Sequence, residues 1–413
     1  MKALHRSLAT AVWVGVVLAG CSALEEPGTT DTTSKPSDQS IGQSAAPAAK
    51  RIVQAPAKRG GVAEVEVHRP KHFPHRIWAA CDFEARTTDY GWFGTAETQN
   101  IPQYPGNVTA LRSRESQKYS SRYVGINPVP GPRMGEVNKV YFRYYVEGTT
   151  DAQVQHFNLS ENDNHHIRVS GLTEGGWSQA TPNFTADSKR NDGSPGAMKK
   201  GDRMDDLKIY LGRFGDGKEY DIIIDDVIFF AEAPSHPPDF EPFPNRVIFL
   251  AAFDTGEKDK YWPGSLEIVD RRLPADSYWR VARAVPHENP PAKWIRLQIQ
   301  PPKPVGEMTK LRFRYHVTGA SAMTVQIFDM TDMDNRHIRL SDLPQGVWQT
   351  ANLNFTRDAK RNDGSDTPFA AGHVVDDIFF FVSPDGDQDV DLLIDEVVLY
   401  DAGCGEIGGG GTA

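Results

Sequence analysis

The second half of this chain repeats the first, and that duplication limits what it can fold into more than any other feature. At an offset of 170 to 171 residues, Phe83-Glu84 stands opposite Phe253-Asp254, Trp92-Phe93-Gly94 opposite Trp262-Pro263-Gly264, and Phe142-Arg143-Tyr144 opposite Phe313-Arg314-Tyr315. The agreement is densest in the middle, where Asp163-Asn164-His165-His166-Ile167-Arg168 matches Asp334-Asn335-Arg336-His337-Ile338-Arg339, and Lys189-Arg190-Asn191-Asp192-Gly193-Ser194 matches Lys360-Arg361-Asn362-Asp363-Gly364-Ser365. Both copies close alike, on Ile224-Asp225-Asp226-Val227 and Ile394-Asp395-Glu396-Val397. A unit of this length is too long for a solenoid, whose repeats run to a few tens of residues. Each copy is therefore expected to fold as a domain, over residues 76–232 and 246–402. The five prolines of residues 233–245 make a short, stiff connector.

Within a copy the hydrophobic period is two. In Leu311-Arg312-Phe313-Arg314-Tyr315-His316-Val317 apolar side chains alternate with cationic ones, as a half-buried strand requires, and residues 140–146 repeat the pattern. Ile378-Phe379-Phe380-Phe381-Val382 and Asp221-Ile222-Ile223-Ile224 are continuous β-formers bounded by Asp and Gly turns. Helical periodicity never extends beyond two turns, and 36 glycines with 29 prolines supply many breaks. The fold class is all-β: two tandem antiparallel β-sandwiches, with a jelly roll suiting the length.

The amino terminus reads as an address. Lys2, His5 and Arg6 precede an apolar run from Leu8 to Leu18, so residues 1–20 have the form of a secretory signal peptide. Its ending, Leu18-Ala19-Gly20-Cys21, resembles the bacterial lipobox. That resemblance implies a lipoprotein acylated at Cys21 with palmitate-type chains, and Ser22 in the following position implies the outer membrane of the cell envelope. Residues 21–75, rich in Ser, Thr, Pro, Ala and Gly, read as a disordered tether, and residues 403–413 as a flexible tail. A formal charge of −10 argues against nucleic acid as a partner. Three cysteines form no zinc or redox motif; Cys81 and Cys404 either pair across the two copies or remain thiols.

The opening Asp82-Phe83-Glu84, the turn before Trp177 or Trp348 and the closing Ile-Asp-Asp/Glu-Val strand resemble the galactose-binding-like jelly-roll modules used as carbohydrate-binding domains. The resemblance implies a polysaccharide or other glycan as partner, and a structural Ca²⁺ between the first and last strands. Position by position, the calcium ligands would come from Glu84, Asp225 and Asp226 in the first copy and Asp254, Asp395 and Glu396 in the second. For the glycan, alternation places Asn164, His166 and Arg168 on one strand face, with Asn335, His337 and Arg339 as their twins. Guanidinium, imidazole and amide groups suit saccharide hydroxyls and carboxylates. Arg143 and Arg314 join this face if their strands are neighbours, and Trp92 and Trp262 are the aromatic candidates on loops. Trp177 and Trp348 read as core, and Asp205-Asp206 and Asp376-Asp377 as solvated strand entries.

Two other readings stay open. In one, the arginines pair with acids across the sheet of a structural or protein-interaction envelope protein; in the other, the chain is a glycosidase or a polysaccharide lyase, with His166 or Tyr144 cast as base beside Arg168 as charge neutraliser. No nucleophile elbow, HExxH or P-loop is present, and the same groups recur in both copies, which favours a repeated binding or structural module over one active site.

Overall fold

A computed structural model describes residues 70–402 apart from 71, 85–91, 95, 105–106, 114–121, 127–130, 212–219, 233–240, 242, 254–265, 271–279 and 289–290. Residues 1–20, expected to be a signal peptide, and Cys21, Asp254, Trp262, Cys404 and residues 403–413 lie outside the described residues, as do most of the expected tether and connector.

The first copy contains β1 (Arg76–Cys81), β2 (Trp92–Gly94), β3 (Ala96–Tyr104), β4 (Asn107–Ser113), β5 (Arg122–Ile126), β6 (Asn138–Glu147), β7 (Asp151–Asn158), β8 (Asp163–Ser170), β9 (Trp177–Ala180), the single-turn α1 (Phe184–Asp187), β10 (Lys189–Arg190), β11 (Met204–Leu211) and β12 (Asp221–Ala231). The second contains β13 (Arg246–Ala251), β14 (Leu266–Asp270), β15 (Arg280–Pro286), β16 (Lys293–Pro304), β17 (Thr309–Thr318), β18 (Met323–Asp329), β19 (Asp334–Leu340), β20 (Gln349–Asn354), α2 (Phe355–Asp358), β21 (Lys360–Arg361), β22 (Val374–Val382) and β23 (Asp391–Asp401).

In the first copy one sheet runs β3-β4-β12-β6-β9, with β1 also on β12, and the facing sheet runs β10-β8-β7-β11-β5-β2. The second copy repeats this as β14-β15-β23-β17-β20 with β13 on β23, facing β16-β22-β18-β19-β21; a short β15–β16 pairing links the two. Every named strand pairing is antiparallel. The all-β tandem sandwich expected from the sequence is the fold observed.

Alternation fills each core. Phe142, Tyr144, Ile224 and Phe229 from one sheet meet Val154, Ile167, Leu207 and Ile209 from the other; Phe313, Tyr315, Ile394 and Leu399 meet Val325, Ile327, Ile378 and Phe380 in the second copy. One core position differs in kind. His156, opposite Ile327 in the duplication, is buried edge-on to Phe184 at 4.4 Å, and neither ring nitrogen has a hydrogen-bond partner among the described residues. Burial, with His165 beside it, holds its pKa well below the usual 6.5, so the folded protein keeps it neutral. The unfolded chain takes up a proton below that value, so the stability is present above pH 6.5 and falls with acidification, by about 1.4 kcal/mol per pH unit. The variant His156→Ile is expected to flatten urea-denaturation midpoints measured between about pH 7.5 and 5; parallel profiles for wild type and variant would refute this.

The two sandwiches share a third core. Ile77, Tyr141, Ile228 and Phe230 of the first copy pack on Val247, Val398 and Tyr400 of the second. Each copy also sends an aromatic from just before its first strand: Phe73 meets Tyr400 at 5.1 Å, and its counterpart Phe243 meets Tyr141 and Phe230 at 5.2 and 5.1 Å. Phe73 and Phe243 are buried, although composition places them in the tether and the connector.

Candidate functional site

The face of each β-sandwich turned away from its core has two very different characters. On the β5–β11–β7–β8 side, strand register lines up Tyr123, Tyr210, Gln153 and Arg168 in one row, and Lys208, Gln155 and His166 in the next. Gln155 Nε2 donates to Asn164 Oδ1 at 2.9 Å, Arg168 pairs with Asp151 at 2.7 Å, and Lys208 with Asp206 at 2.9 Å. The Tyr123 and Tyr210 rings lie 5.3 Å apart and tilted by 36°. Burial raises the pKa of Tyr210 and, with Lys189 and His165 nearby, lowers that of His166.

The second copy keeps the layout and changes the side chains. Its rows read Trp294, Phe381, Thr324, Arg339 and then Arg296, Phe379, Gln326, His337, with Asn335 opposite Phe328 in the next. Trp294, Phe379 and Phe381 are half-buried, with centroids 5.7 to 5.9 Å apart and ring planes within 10 to 19° of each other. His287 abuts Trp294 edge-on at 4.9 Å. Arg296 lies over Phe379 at 5.5 Å while donating twice to Asp377, at 2.9 and 2.8 Å.

The structure thus brings Asn164, His166 and Arg168, and Asn335, His337 and Arg339, onto one open face per copy. Around them it places aromatic and amide residues that the sequence reading did not single out as ligand contacts. Asp377 is buried by its partner Arg296, so Asp376-Asp377 is not a solvated strand entry. Trp92 lies on the edge strand β2, but its side chain is outside the described residues.

Arg143 and Arg314 do not join this face. They sit on β6 and β17, in the opposite sheets, and are committed to acids: Arg143 Nη1 donates to Asp226 Oδ2 at 2.7 Å and lies 3.7 Å from Asp225, and Arg314 lies 3.6 Å from Glu396. Trp177 and Trp348 are half-buried covers for these guanidiniums, at 5.4 and 5.5 Å, rather than core residues. The lyase trio is not assembled either, because Tyr144 faces the sandwich core and its hydroxyl accepts from Thr173 N at 3.1 Å.

Of the acids expected to hold calcium, Asp225-Asp226 and their counterparts Asp395-Glu396 sit at a β-bulge, with Glu84 after β1 and Asp254 outside the described residues. Along β12 the pairing partner changes from β4 at Ile223–Ile224 to β1 at Val227, and the register shifts across Asp225-Asp226. The extra residue puts both carboxylates on the side away from the core, with Asp226 at φ 46° and its counterpart Glu396 at φ 48°. Asp225 is fully buried; desolvation, with Asp226 beside it and Glu84 close by, raises its pKa well above the carboxylate range. Its Oδ2 has no hydrogen bond among the described residues, while Glu84 accepts from Thr109 N at 3.0 Å. These two carboxylates are a chemically suitable start for an oxygen-seeking cation. Asp226 and Glu396 are already taken by arginine, and burial with Glu396 as neighbour pushes Asp395 up to about 7. A different convergence, Asp329, Asp332 and His373, already encloses the positive charge of Arg336, which lies 3.2 Å from Asp329 and also pairs with Asp332.

No protein-family model matches the chain, and no curated protein matches it. Among solved structures it is similar to the N-terminal CBM22-1–CBM22-2 tandem domain of Xyn10C from Paenibacillus barcinonensis, with 14% identity over 80% of this chain and 98% of that one, at a TM-score of 0.27. It is also similar to the family 11 carbohydrate-binding module of the cellulosomal cellulase Lic26A-Cel5E of Clostridium thermocellum, with 14% identity over 37% of this chain and 95% of that one, at a TM-score of 0.27. Likeness of this degree concerns the fold alone.

Proposed function

We propose that the protein binds glycan chains on the outward faces of the β5–β11–β7–β8 and β16–β22–β18–β19 sheets. The observation that carries this reading is the group Trp294, Phe379 and Phe381. Inward rings are explained by core packing, whereas three near-parallel rings on the outward side of a strand pair are not. A sugar ring presents an apolar C–H face to an aromatic and its hydroxyls to the flanking Gln326, Thr324, His337 and Arg339, which donate and accept. In the first copy Lys208 stands where Phe379 stands in the second, so that face suits a more polar stretch of the same chain.

The test is electrophoresis of the full chain through gels containing neutral or acidic polysaccharides. At least one glycan is expected to retard it, and the double variant Trp294→Ala, Tyr210→Ala is expected to run as in a blank gel. Migration unaffected by every glycan, with crosslinks to envelope proteins instead, would favour the structural alternative.

A Ca²⁺ ion on Glu84 and Asp225 is part of this proposal, supported by the buried, hydrogen-bond-poor carboxylate of Asp225. Such an ion would neutralise two acids that burial otherwise penalises. A chelator is expected to lower the melting temperature by several degrees, reversibly with calcium, and Asp225→Asn to be indifferent to it. A melting temperature unchanged by chelation removes the ion from the account.

A further inference from the structure

The two copies keep the same arginine on their outward faces and differ in what neutralises it. In the first copy Arg168 on β8 pairs with Asp151 on β7 at 2.7 Å, and Lys208 in the neighbouring row pairs with Asp206 at 2.9 Å. Each of these cations is matched by an acid of its own sheet. In the second copy the duplication puts Arg339 in the place of Arg168 and Ala322 in the place of Asp151. The strand pairing is unchanged, since Gln153 lies across from Arg168 and Thr324 across from Arg339. Without the carboxylate, Arg339 is exposed and has no hydrogen-bond or ion-pair partner among the described residues. Its cationic neighbours on this sheet, Arg296 and Lys360, are held by Asp377 and Asp366.

The register puts this unmatched charge beside the aromatic group. Trp294, Phe381, Thr324 and Arg339 follow one another across β16, β22, β18 and β19. Adjacent strands are about 4.8 Å apart, so Arg339 stands about 10 Å from Phe381 and about 14 Å from Trp294 along the row. A run of a few sugars resting on the rings therefore reaches it. Thr324 and Gln326, on the strand between Phe381 and Arg339, are polar and uncharged. A guanidinium is always charged and presents a planar fork, which meets the paired oxygens of an oxyanion with two hydrogen bonds.

We propose that the face of the second copy prefers acidic polysaccharides. Arg339 takes an oxyanion substituent, a uronate carboxylate or a sulfate ester, of a chain whose neighbouring sugars rest on Trp294 and Phe381. The proposal rests on the glycan reading above and names the class of glycan. The first copy, its cations matched internally, takes polar stretches of the chain without selecting charge. An overall charge of −10 repels an acidic polymer at long range, so the preference comes from contact and acts within a screening length of about 8 Å at physiological salt.

The test runs the full chain through gels containing backbone-matched pairs: polygalacturonate and its methyl ester, alginate and its propylene glycol ester, dextran sulfate and dextran. At least one acidic polymer is expected to bind about fivefold more tightly than its neutral partner. Ala322→Asp, which gives Arg339 the acid its twin has, and Arg339→Gln are each expected to bring the acidic polymer down to the neutral level. Lys200→Gln lowers the net charge equally, in the first copy, and is expected to keep the preference. A response confined to the uronate pairs identifies a carboxylate and one confined to the dextran pair a sulfate; both support the site. Equal retardation by the two members of every pair, or a preference that survives in both variants, overturns the acidic preference and leaves the glycan reading standing. Retardation by none of the polymers overturns both.

Discussion

Arg143→Ala is expected to cost the fold about 3–5 kcal/mol, whereas Arg168→Ala is expected to cost about 1 kcal/mol or less. Both arginines carry a carboxylate partner at 2.7 Å, and burial decides between them. The Arg143 side chain is 8% exposed and faces Asp225 and Asp226, at 0 and 1%; removing it takes a nearby positive charge from two acids that are buried away from solvent. The Arg168 side chain is 50% exposed, so water and salt already share its work. Urea denaturation of the two variants measures the contrast directly. Equal losses would mean that the Arg143 pair is solvated, and the bulge geometry would then no longer account for its position. Glycan retardation of folded Arg143→Ala should match wild type, because β6 belongs to the sheet away from the proposed face.

The two arginines also mark how far the sequence could be read. A strand's period of two is local, so the sidedness of Asn164, His166 and Arg168 follows from their spacing, and the structure keeps it. Which strands lie side by side is not local, and Arg143 lands in the opposite sheet. The bulge hides in the same way: strict alternation would send Asp225 and Asp226 to opposite faces, and only the change of partner from β4 to β1 shows that one residue is extra. Periodicity is silent where both faces are apolar, so Ile378-Phe379-Phe380-Phe381-Val382 reads only as a run of β-formers, and the outward side of Phe379 and Phe381 does not follow from it. Two members of the shared core between the copies, Phe73 and Phe243, are single aromatics set in proline-rich stretches too poor in apolar residues to give any pattern.

Trp294→Ala is expected to weaken glycan binding by about 30-fold or more, since truncating a central aromatic anchor typically costs about 2 kcal/mol or more and each 1.4 kcal/mol is tenfold. The indole stands nearly parallel to Phe379 and Phe381, at 10 and 19°, so removing it both subtracts its own contact area and frees its neighbours to turn. Fold stability should fall far less, because the ring lies outside the sandwich core and Ile295 beside it keeps the strand anchored. Tyr123→Ala, the same register position in the first copy, should weaken binding less: Tyr123 and Tyr210 are tilted by 36° and have Lys208 rather than a third ring beside them. The ratio of the two losses, measured by calorimetric titration with whichever oligosaccharide the gels identify, reports which face dominates. A larger loss from Tyr123→Ala would move the principal site to the polar face. No loss from either, with both variants folded, would show that the rings are not where the sugar sits.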